Sequence, residues 1–134
     1  MPMSRSILYS AFIFTALVGV LNKIGGIYFL YWGLPWYDIL VHFLGGVALG
    51  LFFIWGYYFS GFTAKSLIID RYYYLKIISL VMIVGLGWEF FEYYFDIAHP
   101  TRGRYYEDTS MDLFFDFLGV WIACLFIKYK ERKI

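Results

Sequence analysis

YYLKIISLVMIVGLGWEFFEYYFD, residues 73–96, decides the fold. It is apolar over the length that a helix needs to cross a bilayer, about 20 residues at 1.5 Å each. Yet it carries Glu89, Glu92 and Asp96 towards one end. An ionised side chain near the bilayer centre costs roughly 2.5–3.5 kcal/mol on insertion scales, so acids inside a span call for a shared polar site. Spacings of four, three and four residues place Gly85, Glu89, Glu92 and Asp96 on one helix face. Glu89 then lies roughly 10 Å below Asp96.

The same excess recurs through the chain. Of its 10 acidic residues, Asp38, Glu89, Glu92, Asp96, Glu107, Asp108, Asp112 and Asp116 all fall at one end of the apolar segments. With 62% hydrophobic and 25% aromatic residues and a mean hydropathy of +0.66, a soluble domain of 134 residues would have too little interior to hide its apolar surface. Apolar runs near 7–29, 37–59, 73–96 and 110–128 predict an all-α polytopic membrane protein, a four-transmembrane-helix bundle forming one domain over 1–134. The connections are a tight turn at 32–36, a polar stretch at 60–71 and a loop at 97–109, with no internal repeat.

Four spans put both termini and the middle loop on one side, which collects Arg5, Lys65, Arg71, Lys76, Lys128, Lys130, Arg132 and Lys133. The opposite side has Lys23, Arg102 and Arg104. The positive-inside rule predicts an N-in/C-in protein of the cell inner membrane whose acidic end faces outward. Arg5 before an apolar run resembles a signal peptide, but no small-x-small cleavage site follows, so a retained helix is expected. The net charge of +1 says nothing about nucleic acid, and because the basic residues form no stripe with base-stacking spacing, no nucleic-acid partner is expected. Cys124 stands alone, which excludes an intrachain disulfide and a cysteine metal cluster. No Gly-x-Ser-x-Gly, P-loop or Ser-His-Asp pattern supports covalent catalysis.

The second span sets Asp38, His42, Gly46 and Gly50 on one stripe. Its G-x-x-x-G admits a close helix neighbour, within the bundle or in a homo-oligomer through Gly46/Gly50. The fourth places Asp112 and Asp116 one turn apart with Gly119 beneath, while Thr109 and Asp112 also fit a helix-start capping pair. Three helices thus aim His42, Glu89, Glu92, Asp112 and Asp116 at a common level. So many carboxylates cannot all stay ionised together without a counter-charge: either a cation is bound or some hold protons. Lys23 could supply one positive charge at that depth.

Hard oxygen ligands with one imidazole suit Mg, Mn, Fe or Zn, and a protonated, hydrogen-bonded network is the competing arrangement. As metal ligands we expect His42, Glu89, Glu92, Asp112 and Asp116, with Glu89, Glu92 and Asp116 as candidate catalytic groups. Asp38, Lys23, Arg102 and Arg104 are expected to bind a ligand, the two arginines by offering planar forks to an anion or by pairing with Asp96, Glu107 or Asp108. His99 is expected at the surface, and Tyr57–Tyr58 and Tyr72–Tyr74 as interfacial anchors.

Asp38 through His42 and Gly45–Gly46, then Glu89 and Glu92, then Asp108, Asp112, Asp116 and Gly119, resemble the VanZ-like group of small membrane proteins and the related YjdF-type inner-membrane family, over roughly residues 37–123. That family shows an Asp-x-x-x-His opening, an acidic residue ending the next helix, an arginine in the following loop and an Asp-bearing helix closing with glycine. Asp116 stands where the pattern often has Asn, and Glu92 where it often has Gln, so this site is more acidic. The resemblance implies little more than a link to glycopeptide resistance, other members being uncharacterised, and carries no general reaction.

Three functions follow as expectations. The first is a membrane protein in the lipid bilayer whose acidic/His site holds a divalent cation and binds or acts on an anionic or lipid-linked head group. The second is a proton- or cation-coupled small transporter. The third is a non-catalytic accessory subunit.

Overall fold

The computed structural model describes residues 3–62, 72–95 and 105–131. It contains α1 (Met3–Ile27), a single-turn α2 (Leu30–Gly33), α3 (Tyr37–Ile54) continued by a π-helical turn (Trp55–Phe59), α4 (Tyr73–Tyr94) and α5 (Tyr105–Glu131). Apart from α2, these make four helices long and apolar enough to cross a membrane, and no strand occurs among the described residues. Helices are the expected answer to such a sequence, because a span in lipid must satisfy every backbone N–H and C=O within itself.

Two boundaries differ from the sequence expectation. α5 begins at Tyr105 rather than near 110, so Thr109 already lies inside a running helix and does not cap Asp112. The reversal after α1 also starts earlier than 32–36. Phe29 takes a left-handed conformation, φ 55 and ψ 34, and the chain then winds through α2. An aromatic residue seldom adopts that conformation, and here Phe29 redirects the chain so that the Tyr31 ring meets Tyr37 edge-on at 5.2 Å.

α3 is the central helix. It packs on α5 most extensively, with α1 on another side and α4 touching both α3 and α5, whereas α1 and α4 do not pack on each other. Small residues set the α3–α5 approach. A Cβ on Gly46 would come within 3.0 Å of Asp116 Cα and closer still to its carbonyl, and one on Gly119 would strike the Phe43 carbonyl. Without hydrophobic drive between helices in lipid, such backbone contact is what lets van der Waals packing hold them. The Gly46/Gly50 stripe is therefore filled by α5 of the same chain.

The bundle divides into two halves along its axis. Away from the acidic end, Ile7, Val47, Leu51, Ile54, Ile77, Val81, Val120 and Ile127 close an apolar core. At that end Lys130 donates to Ser6 Oγ at 3.1 Å, and Lys76 and Lys128 sit over the Tyr57 and Tyr74 rings at 5.1 and 4.8 Å. These are the contacts of amphipathic side chains at a water interface. The other half holds the polar residues.

Candidate functional site

Asp38 and His42 stand one turn apart on α3, and Asp112 and Asp116 one turn apart on α5. Because Gly46 brings the α3 backbone against Asp116, the two pairs meet at one level. His42 Nε2 lies 3.6 Å from Asp38 Oδ1 and 3.8 Å from Asp112 Oδ1. Its Nδ1 lies 3.4 Å from Asp116 Oδ1. The imidazole therefore has two functional edges. One is flanked by a carboxylate that can orient the ring, and the other looks into a gap between two further carboxylates.

The spacing across that gap is informative. Hydrogen bonds to nitrogen centre near 2.9–3.0 Å; all three distances exceed that, and the two on the Nε2 side are the longer. Donor atoms sharing one ion at 2.0–2.2 Å stand roughly 3–3.6 Å apart, so these groups would draw together slightly to share an ion. One donor atom each from Asp38, His42 and Asp112 fall within 4.8 Å of one another. A carboxylate on the remote nitrogen, as Asp116 is here, is the usual companion of a metal-binding histidine, fixing its ring and raising its basicity.

α4 contributes from the side. Gly85 leaves room for Asp116, since a Cβ there would stand 2.8 Å from its Oδ2. Glu89 is 5% exposed. Its Oε2 accepts a hydrogen bond from Thr109 Oγ1 at 2.8 Å, and its backbone carbonyl accepts one from Tyr105 at 2.9 Å. Oε1 of the same carboxyl is buried with no hydrogen-bond partner among the described residues. Thr109→Val should therefore destabilise the protein by about 1–3 kcal/mol, because it strips a buried acceptor of its donor. Ser110→Ala, an exposed hydroxyl bonded within its own helix, should change little. Denaturant unfolding in detergent micelles compares the two, and equal effects would show that the Thr109–Glu89 bond is not stabilising.

The site opens into a cleft of about 540 Å3 walled by α1 to α5, with Asn22, Tyr31, Asp38, His42, Glu92 and Asp108 among its polar lining. Tyr31 donates to Asn22 Oδ1 at 2.9 Å. Burial, and after it the nearby Asp38 carboxylate, pushes the Tyr31 phenol up, so it remains a neutral donor at the mouth.

Of the residues singled out from sequence, the structure gathers His42, Asp112 and Asp116 around one imidazole together with Asp38, whose place among the expected ligand-binding residues becomes one beside Nε2. Glu89 is buried on α4 and held by Thr109. Glu92 is half-buried on the cleft wall. Lys23 is exposed, and the neighbouring Asn22 lines the cleft in its stead. Asp96, His99, Arg102 and Arg104 lie outside the described residues. Sequence reading missed Thr109, Asn22 and Tyr31 as parts of the site. A signal existed for Asn22, since Val18, Asn22 and Gly26 share a four-residue spacing.

No curated protein and no solved structure is significantly similar to the chain. A family model does match it, over residues 3–133, and its description as a predicted membrane protein agrees with the four membrane-length helices. Covering nearly the whole bundle and every site residue described above, that match shows that the chain belongs to the DUF2238 family of predicted membrane proteins.

Proposed function

We propose that this protein holds a divalent cation between Asp38, His42 and Asp112 and presents it to a polar head group at the outer face of the cell inner membrane. The observation that carries the reading is the two-edged imidazole: Nε2 faces two carboxylates at 3.6 and 3.8 Å while Nδ1 lies 3.4 Å from a third. Three protein donors leave positions open for water or ligand, as in catalytic rather than structural sites. The donor set suits Mg, Mn, Fe or Zn. Such an ion would polarise a phosphoryl or carbonyl oxygen or activate water, with Glu89 and Glu92 nearby as acid or base. The outward assignment comes from the basic residues grouped at the opposite end. The resemblance to VanZ-like proteins favours an envelope-related ligand.

A cation-coupled carrier is disfavoured within one chain. The half below the site is filled by Val47, Leu51, Ile54, Val81 and Val120, all buried, which leaves a recess rather than a path. An accessory role through Gly46/Gly50 is disfavoured because α5 already covers that stripe.

Elemental analysis of purified protein tests the proposal. Wild type should carry one divalent ion per chain and Asp112→Asn none. Asp116→Asn should weaken the ion's affinity by about 10–100-fold without abolishing it, as expected of a residue that orients a ligand. Wild type without stoichiometric metal, or Asp112→Asn with unchanged content, would overturn it.

A further inference from the structure

Polarity is graded along the cleft. Asp38 and Glu92 line its acidic end, and Val18, Leu49 and Val84 line its deeper part. Along α3 the lining runs from Asp38 to Leu49, roughly 16 Å at 1.5 Å per residue. Half the hydrocarbon core of a bilayer is about 15 Å. With its acidic end at the interface, a cleft of this length would reach the mid-plane of a bilayer. Its flanking walls, α1 and α4, do not pack on each other, so it opens sideways between them, in the direction from which a lipid would come.

We infer that the ligand is a phosphate-headed membrane lipid that enters laterally between α1 and α4, one chain lying along Val18, Leu49 and Val84 and the head group at the His42 site. This rests on the cation reading above, because a phosphate next to Asp38, Asp112 and Asp116 needs a divalent ion to bridge like charges. With the ion present, head-group charge and chain length match the two ends of a single recess. Val84 and Ile83 sit side by side on α4 and both are exposed, at 41% and 66%, but Val84 lines the cleft and Ile83 does not. The two positions separate a specific lipid from the lipid that surrounds any membrane protein.

The test uses full-length protein in vesicles of phosphatidylglycerol bearing a photoactivatable diazirine in the acyl chain, with adducts mapped by peptide mass spectrometry and metal content measured in parallel. Wild type should be labelled at both Leu49 and Ile83. Val84→Trp, which plugs the recess, should lose the Leu49 adduct and keep both the Ile83 adduct and the metal. Chelation should deplete the Leu49 adduct alone. Stoichiometric metal with Leu49 unlabelled, or a Leu49 adduct that survives Val84→Trp, would overturn the lateral lipid and leave the cation site standing. A Leu49 adduct indifferent to chelation would overturn the cation-bridged head group. Absence of metal from wild type would overturn the reading on which it rests.

Discussion

His42→Leu should destabilise the bundle by about 3–5 kcal/mol, the cost of leaving buried charge without its partner, and should abolish divalent-ion binding. The imidazole touches three carboxylates, and the side chains of Asp112 and Asp116 are 6% and 9% exposed. Without it, these acids face one another in a medium too poor in water to screen them. The leucine itself is well suited to lipid, so any loss reports the abandoned carboxylates rather than the new side chain. Adding Asp116→Asn to His42→Leu should recover part of the stability without restoring the ion. Urea unfolding in mixed micelles reads the first effect and elemental analysis the second. Wild-type stability in His42→Leu would mean that the carboxylates do not depend on the imidazole.

The second large effect belongs to Gly46. Replacement by leucine should separate α3 from α5, because the first side-chain carbon already meets the backbone of Asp116, which has no rotamer through which to retreat. Overpacking of this kind costs about 1–3 kcal/mol or more, and here it strikes the most extensive helix contact in the bundle. Because the obstructed residue is Asp116, the same substitution should shift its carboxylate from His42 Nδ1 and weaken ion binding. Gly26→Leu is the control, since nothing lies within 4 Å of a Cβ at that position. Thermal unfolding followed by size-exclusion chromatography should show Gly46→Leu aggregating at a temperature where Gly26→Leu remains monodisperse. Equal behaviour would remove Gly46 from the α3–α5 contact.

Much of the His42 constellation is legible in the sequence. Asp38 and His42 recur at four residues, as do Asp112 and Asp116, and helical periodicity alone puts each pair on one face. What periodicity does not carry is rotation of one helix relative to another. Asn22 and Lys23 are adjacent, and a turn of 100° per residue decides which of them meets the cleft. Both are exposed, and only the seating of α1 against α3 puts Asn22 rather than Lys23 on the cleft wall. The role of Thr109 was open for a related reason. Its spacing to Asp112 fits a cap, but α5 has already begun at Tyr105, and the hydroxyl turns across to Glu89 on another helix.

By itself the sequence determined that this chain forms four helices long and apolar enough to cross a membrane, that most of its acids fall at one end of them and that most of its cations fall at the other. Those properties depend on hydropathy, segment length and charge count, which are local sums along the chain. Tertiary structure alone decided that Asp116 lies against Nδ1 while Asp38 and Asp112 share the Nε2 side, that Glu89 leans on Thr109, and that α1 and α4 leave a recess between them. These depend on helix rotation and approach distance, and both were set by glycine positions acting between helices far apart in sequence.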